Sequence, residues 1–200
     1  VNSSEENRMN YRRILFESTE AMQNYISGVI LFDETIRQSN NDGERLVDII
    51  KKSGSLPGIK VDMGAKELAT MQGETVTEGL DGLRERLQEY SNLGAKFAKW
   101  RAVISISNKN PSSLCIDVNA HALARYAALC QESGIVPIVE PEVLMDGSHD
   151  IQKCYDATKE TLLKVFDDLS FHNVDLKGIC LKPNMVIDGS ENSEKSSPKE

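Results

Sequence analysis

Charged residues that lie two positions apart recur where apolar segments of this sequence end. They are Lys60 with Asp62, Lys99 with Arg101, and Glu140 with Glu142, and Lys182 ends a further segment. Residues two positions apart share one face of a β-strand. Ionised groups in a buried strand are costly unless they are paired, because burial removes their hydration. The near-balance of cations and carboxylates therefore indicates one polar cluster drawn from four segments.

The lysines of this set point to carbonyl chemistry. Neighbouring positive charges and burial both favour the neutral form of an amine, and a neutral lysine amine can attack a carbonyl carbon. Adjacent carboxylates can move the protons that formation and breakdown of a Schiff base require. A single lysine at a strand end is usually a solvated side chain. The hypothesis therefore rests on the coincidence across four segments.

The segments that carry these residues have the composition of buried parallel strands. They are rich in β-branched residues and are bounded by Gly, Pro, Ser or Asp, and they cover residues 28–32, 58–62, 97–104, 135–139 and 178–182. Between them the apolar residues recur at helical spacing, as in the stripe of Leu80, Leu83, Leu87 and Tyr90. Strands alternate with helices about every 30 to 45 residues, which predicts repeated βαβ units around a parallel sheet.

A closed barrel explains the charges better than a doubly wound sheet. No G-x-G-x-x-G fingerprint follows any predicted strand, whereas a (β/α)8 barrel gathers its active site at the carboxyl ends of several strands. Such barrels need about 250 residues, and only five strands are visible here. We therefore expect residues 1–200 to form a single α/β domain that is part of a TIM barrel, with residues 189–200 as a polar loop.

The charge and composition of the chain limit the classes of partner that we expect for it. The net charge of −8 argues against nucleic acid or an anionic membrane as a partner. No stretch approaches the roughly 20 apolar residues that cross a bilayer, and the polar start of the chain is unlike a signal peptide, so we expect a cytoplasmic protein. The four cysteines form no C-x-x-C pair and histidines are few, which predicts reduced thiols and no metal site.

Several other residues have plainer interpretations. We expect the three histidines (His121 on a helix, His149 and His172 in loops) to be structural or exposed, and Trp100 to be a packing residue. The turn glycines of residues 73–82, with Thr77 as a helix cap, predict a loop that leads into a helix.

Six ordered blocks resemble class I fructose-bisphosphate aldolases. They are the segments GIKVD at 58–62, GET at 73–75 with GLDGL at 79–83, FAKWR at 97–101, IVPIVEPE at 135–142 and LKPNM at 181–185, with ISGVILFDET at 26–35. Their order and spacing match the family across nearly the whole chain, which makes the resemblance specific.

The resemblance implies a (β/α)8 barrel that cleaves fructose 1,6-bisphosphate into dihydroxyacetone phosphate and glyceraldehyde 3-phosphate without a metal or cofactor. By the same resemblance Lys182 forms the imine, and Glu140 is the acid/base for carbinolamine dehydration. Lys99 assists electrostatically, and Glu142 is the carboxylate beside it. Lys60 and Arg101 match the basic residues near one substrate phosphate. Family members are commonly tetramers, which implies a homo-oligomer.

The same comparison places parts of the family's site outside these residues. Its first strand, with an active-site aspartate, would precede Val1, and Asp33 belongs to the second strand's block. Its last two strands would follow residue 200. We therefore expect a central portion that is unstable and nearly inactive alone, because opened barrels expose strand edges. The alternatives are another Schiff-base barrel, such as a transaldolase-like or keto-acid aldolase, and a catalytically dead binding module.

Overall fold

The computed structural model describes residues 2–109 and 111–197. Five parallel strands form the main sheet and helices cover one of its faces. The described strands are β1 (Gly28–Leu31), β2 (Leu56–Lys60), β3 (Ala65–Glu67), β4 (Thr75–Thr77), β5 (Phe97–Ile104), β6 (Val136–Val143) and β7 (Cys180–Leu181). The described helices are α1 (Glu5–Phe16), α2 (Thr19–Tyr25), α3 (Asp33–Arg37), α4 (Leu46–Lys52), α5 (Leu83–Leu93), α6 (Ser113–Glu132) and α7 (Ile151–Phe171), with a 3₁₀ turn at Leu176–Gly178.

The main sheet has the strand order β1-β2-β5-β6-β7, and every pair in it is parallel. All five strands predicted from the sequence are present, and the predicted bounds of β5 are those observed. The other strands shift by a few residues, and β7 is reduced to two. This arrangement is a segment of a (β/α)8 barrel, which confirms the predicted fold class.

Alternation along β5 separates two faces of the sheet. Ala98, Trp100 and Ala102 are buried under the helices, while Lys99 and Arg101 point the other way. Lys60 is in register with Lys99, and Arg101 with Glu140, and residues in register share a face. The charged residues of the central strands therefore lie together on what we call the inner face, the face that helices do not cover.

The core fills the space between the sheet and the helices. Trp100 is fully buried and its ring stacks on that of Tyr126 from α6, with 5.5 Å between centroids. The Tyr126 hydroxyl donates to the Ala98 carbonyl at 2.7 Å, and burial raises the Tyr126 pKa well above its ordinary value. The prediction that Trp100 is a packing residue is confirmed. These contacts hold α6 against the strand that carries Lys99 and Arg101.

A glycine pair lets the inner face pack at the amino end of the strands. A Cβ at Gly28 would lie 2.8 Å from the Phe97 ring, and one at Gly58 would overlap the same ring. The Phe97 ring of β5 therefore lies across β2 and reaches β1, which only glycine permits at these two positions. The ring fills the layer below the charged residues.

The prediction for residues 73–82 was wrong. Thr77 does not cap a helix; it lies in β4, which pairs antiparallel with β3 to form a hairpin. Helix α5 begins later, at Leu83, after Gly82 in the left-handed conformation, and no side chain caps it. Helix α5 ends at Leu93 and is followed by Gly94, whose φ of +113° favours glycine.

The residues after β7 form a tethered loop. Residues 189–197 contain no helix or strand, and the amides of Gly189 and Ser190 donate to the carbonyls of His149 and Met145 at 2.8 and 2.7 Å. The last three residues of the predicted polar loop, 198–200, lie outside the described residues. Within the described part of the chain, no helix is both long enough and apolar enough to cross a bilayer.

Candidate active site

Glu140 lies at the centre of the charged cluster. Its side chain is 3% exposed, on β6, and its two oxygens face two different lysines. The Lys182 ammonium donates to Oε1 at 2.6 Å, and the Lys99 ammonium lies 3.2 Å from Oε2 without the alignment of a hydrogen bond. The burial of this carboxylate is thus offset by two positive charges on the strands that flank it.

The two lysines reach Glu140 from opposite sides of β6. Lys99 comes from β5 and is 21% exposed, whereas Lys182 directly follows β7 and is 60% exposed. The Lys182 amide donates to the Val139 carbonyl at 2.9 Å, which extends the β6–β7 pairing by one bond. Lys182 is therefore the most accessible member of the trio, and its amine can meet a molecule arriving from solvent.

Arg101 and Glu142 form a second ion pair, further toward the carboxyl ends of the strands. The Arg101 Nε donates to Glu142 Oε2. Both side chains are partly exposed and lie on the inner face, beside the cavity that Leu144, Met145 and Lys182 also line. This pair borders the Lys99–Glu140–Lys182 trio on the side away from Phe97.

The side chain of Lys60 is held by Asp62, which lies just after the end of the same strand. Its ammonium donates to the carbonyl oxygen and the carboxylate of Asp62. Asp62 is 3% exposed and also accepts from the Gly64 amide at 3.1 Å, so the carboxylate fixes the turn after β2. Because Lys60 is in register with Lys99, its charge adds to the same patch.

The patch carries a local excess of positive charge. Lys60, Lys99, Arg101 and Lys182 face Asp62, Glu140 and Glu142, four cations against three carboxylates, in a protein whose net charge is −8. A local positive field of this kind attracts anionic ligands. The structure thus brings all six sequence-predicted site residues to the inner face, with Glu140 ion-paired with two of them, Lys99 and Lys182.

The β3–β4 hairpin supports this patch from one side. The hydroxyls of Thr77 and Thr75 donate to the carbonyls of Arg101 and Val103 at 2.7 and 3.0 Å, beyond the point where β2 stops pairing. The buried Glu74 accepts from the Ser112 amide and hydroxyl, both at 2.6 Å. The hairpin therefore fixes the carboxyl-terminal half of β5 to the start of α6. The sequence analysis assigned none of Glu74, Thr75, Thr77 and Ser112 to the site.

Residues expected to be structural lie away from the trio. His121 lies on α6 and packs edge-on against His172, with ring centroids 5.1 Å apart, and His172 directly follows α7. His149 is buried in the loop before α7. Asp33 begins α3, where it accepts from Arg37 and from the Tyr90 hydroxyl at 2.9 Å. Among the described residues, no three His, Cys, Asp or Glu side chains converge in a way that could hold a metal ion.

Fold and site together define a barrel segment whose inner face carries a lysine-rich cluster at the carboxyl ends of its strands. The family model described as fructose-bisphosphate aldolase class-I matches residues 1–200. The chain therefore belongs to the class I fructose-bisphosphate aldolase family.

Relatives from bacteria and plants agree with this assignment. The chain is 57% identical over 200 residues to the probable fructose-bisphosphate aldolase class 1 of Xanthomonas axonopodis pv. citri, covering 100% of this chain and 60% of that protein. It is 54% identical over 198 residues to the cytosolic fructose-bisphosphate aldolase 4 of Arabidopsis thaliana, covering 99% and 50%. The chain thus spans between half and three fifths of the length of these relatives.

A solved structure shares the same backbone. The fructose-bisphosphate aldolase of Plasmodium falciparum, solved in complex with TRAP and a small-molecule inhibitor, superposes with a TM-score of 0.94 at 44% sequence identity. The match covers 98% of this chain and 57% of that one. The similarity therefore extends over nearly the whole of this chain.

Proposed function

We propose that this chain contributes the Schiff-base centre of a fructose-bisphosphate aldolase, a lyase of glycolysis and gluconeogenesis. The observation that carries the proposal is the buried Glu140 carboxylate held between the ammonium groups of Lys182 and Lys99. Glu140, as proton carrier, lies within hydrogen-bonding or ion-pairing distance of both a nucleophile, Lys182, and a fixed positive charge, Lys99, an arrangement suited to imine chemistry.

The proposed reaction begins with a proton transfer inside the Lys182–Glu140 hydrogen bond. Transfer of a proton from the Lys182 ammonium to Glu140 leaves a neutral amine, which attacks the ketose carbonyl carbon. Glu140 then returns its proton to the hydroxyl of the carbinolamine, which departs as water and leaves a cationic imine. The 2.6 Å contact supports this exchange, because proton transfer needs a donor and an acceptor within hydrogen-bond reach.

The imine then acts as an electron sink for carbon–carbon cleavage. Glu140, ionised again after the dehydration, accepts the proton of the C4 hydroxyl as the electron pair of the C3–C4 bond moves into the imine and forms an enamine, and glyceraldehyde 3-phosphate leaves. Protonation of the enamine and hydrolysis of the resulting imine release dihydroxyacetone phosphate and regenerate Lys182. In this scheme Lys99 stabilises the charge on Glu140 from its second oxygen, and Glu142 holds Arg101 in place.

We assign Lys60 and Arg101 to the recognition of one substrate phosphate. Both lie on the inner face and both are partly exposed, on either side of Lys99. Guanidinium and ammonium groups are the usual partners of phosphate oxygens. The excess of positive charge on the patch supports a phosphorylated sugar as the ligand, in an otherwise acidic protein.

The setting of the enzyme is part of the proposal. Cytosolic relatives in Arabidopsis support a cytoplasmic location, and we propose a homo-oligomer, a tetramer by resemblance to the family, with neither nucleic acid nor membrane as a partner. The chemistry assigned to Lys182 needs no metal or other cofactor, so activity is expected to persist in EDTA. Light scattering coupled to size-exclusion chromatography tests the oligomeric state.

A substrate panel tests the proposed function. The natural chain that contains these residues is assayed with fructose 1,6-bisphosphate, a transaldolase substrate and a keto-acid aldol, beside its Lys182→Met variant. We expect cleavage of fructose 1,6-bisphosphate by the native protein and its loss in the variant. The proposal would be refuted if the native protein left fructose 1,6-bisphosphate intact and turned over one of the other substrates. It would also be refuted if Lys182→Met cleaved fructose 1,6-bisphosphate as fast as the native protein.

A further inference from the structure

Asn184, two residues after Lys182, links three parts of the fold through its side-chain hydrogen bonds. Its Oδ1 accepts from the Val143 amide at 3.2 Å, and its Nδ2 donates to the Thr158 hydroxyl at 2.9 Å and to the Met185 carbonyl at 3.0 Å. Val143 is the last residue of β6 and Thr158 lies on α7. The side chain therefore ties the segment after β7 to both the neighbouring strand and the helix behind it.

The chemistry of its partners fixes the orientation of the Asn184 amide. A backbone N–H can only donate and a backbone carbonyl can only accept, so Oδ1 must face Val143 and Nδ2 must face Met185. Thr158 can play either part. The observed orientation of the amide satisfies all three hydrogen bonds. A flipped amide would lose those to the Val143 amide and the Met185 carbonyl.

The Val143 amide needs this partner because β7 is short. The pairing of β6 with β7 ends at the bond from the Lys182 amide to the Val139 carbonyl. Pro141, the next residue of β6 that faces β7 after Val139, has no amide to donate. Val143 is buried, and a buried amide without an acceptor costs free energy. The Asn184 side-chain oxygen takes the place of the strand carbonyl that the ladder lacks.

We propose that Asn184 is a positioning residue that holds the Lys182 backbone against β6 and α7, and thereby keeps the Lys182 amine beside Glu140. This inference rests on the proposed function of Lys182. Lys182 follows a strand of only two residues, and its amide makes the last bond of the β6–β7 pairing. So short a strand holds this lysine weakly, whereas Lys99 lies inside the eight-residue β5.

The test compares Asn184→Ala with Val165→Ala in the natural chain that contains these residues. Val165 is buried on the same helix as Thr158, so its truncation loosens α7 without removing any hydrogen bond of Asn184. Each protein is mixed with dihydroxyacetone phosphate, quenched with borohydride at timed intervals, and analysed by mass spectrometry for the reduced adduct. Melting temperatures are measured in parallel, and Lys182→Met serves as the blank.

We expect Asn184→Ala to slow adduct formation by about 10-fold to 100-fold, the range expected when a reacting group is misplaced by about an ångström. The substrate concentration that gives half the maximal rate should change by less than about twofold, since Asn184 is not assigned a substrate contact. Val165→Ala should lower the melting temperature and keep a near-native rate.

The positioning role is overturned if Asn184→Ala forms the adduct within about twofold of the native rate, or if Val165→Ala is slowed as much. The first result would show that Lys182 needs no tether, and the second that any loosening of α7 has the same effect. A native protein that forms no adduct, or a Lys182→Met variant that forms one, would instead refute both the proposed function and this inference.

Discussion

The Lys182 Nζ lies 2.6 Å from Glu140 Oε1, although the two residues are 42 positions apart in the sequence. The contact exists because β6 and β7 are parallel neighbours, with Val139 paired to Leu181. Glu140 and Lys182 directly follow these two residues, so both of their side chains project onto the inner face. A one-residue slip in this register would turn one of the two side chains toward the helices, so the short β6–β7 pairing sets the chemistry of the site.

Replacement of Glu140 by glutamine should lower kcat by about 10²-fold to 10⁴-fold, the usual contribution of a general acid or base. The amide keeps the shape of the side chain but cannot carry the proton between Lys182 and the carbinolamine hydroxyl. KM should change little. Steady-state kinetics with fructose 1,6-bisphosphate measure both constants, and Glu78→Gln on the exposed turn after β4 is the matched control. A Glu140→Gln enzyme with native kcat would remove this residue from the mechanism.

Replacement of Arg101 by methionine should raise KM by about tenfold or more, since hydrogen bonds to charged groups contribute about 1.5–3 kcal/mol. Methionine keeps the aliphatic stem and removes the guanidinium that we assign to the substrate phosphate. The matched control is Arg84→Met, which breaks an exposed ion pair with Glu132 between α5 and α6. An unchanged KM in Arg101→Met would place the phosphate elsewhere.

Replacement of Gly58 by alanine should destabilise the fold by about 1–3 kcal/mol, the usual cost of overpacking. The added methyl group would overlap the Phe97 ring, which lies across this glycine on the inner face. The double variant Gly58→Ala with Phe97→Leu should recover part of the loss, because the smaller side chain frees the space. Denaturant unfolding of the four proteins of this cycle gives the coupling; purely additive losses would contradict the contact.

The stability that Glu34 contributes should depend on pH. Hydrogen bonds from Arg8 and Arg12 hold the pKa of Glu34 at about 2, below its ordinary value of 4.5. A carboxylate whose pKa falls on folding stabilises the fold fully above its unfolded pKa, and this contribution is lost as the pH drops toward the folded value. The native protein should therefore melt above Glu34→Gln at neutral pH, and the gap should narrow between about pH 5 and pH 3. A gap that stays constant over this range would contradict the ion pairs between α1 and α3.

The sequence predicted the main sheet well because its strands carry strong local signals. The alternation along β5 placed Lys99 and Arg101 on one face, and the charges at the strand ends indicated a barrel. The pairing partners could not be predicted from the residues, because which strand neighbours which, and in what register, is decided by tertiary packing. For that reason the contact of Glu140 with both lysines appears only in the structure.

Other elements lacked a local signal. Helices α3 and α4 have five and seven residues, fewer than the window of about 11 in which helical periodicity is measurable. Strand β3 is exposed along its whole length, so it shows no alternation of buried and exposed positions. The turn glycines of residues 73–82 suggested a loop, but the hydroxyls of Thr75 and Thr77 bond to β5 instead. Asn184 was visible within a family motif, and its role depends on Val143 and Thr158, which are far from it in sequence.

Borohydride trapping with peptide mapping tests the central claim most directly. The natural chain that contains these residues is incubated with dihydroxyacetone phosphate, reduced, digested and mapped by mass spectrometry. We predict one reduced adduct, on the peptide that contains Lys182, and none on the peptides that contain Lys99 or Lys60. A folded protein that gives no adduct, or gives it on Lys99 in place of Lys182, would contradict the assignment of Lys182 as the Schiff-base lysine.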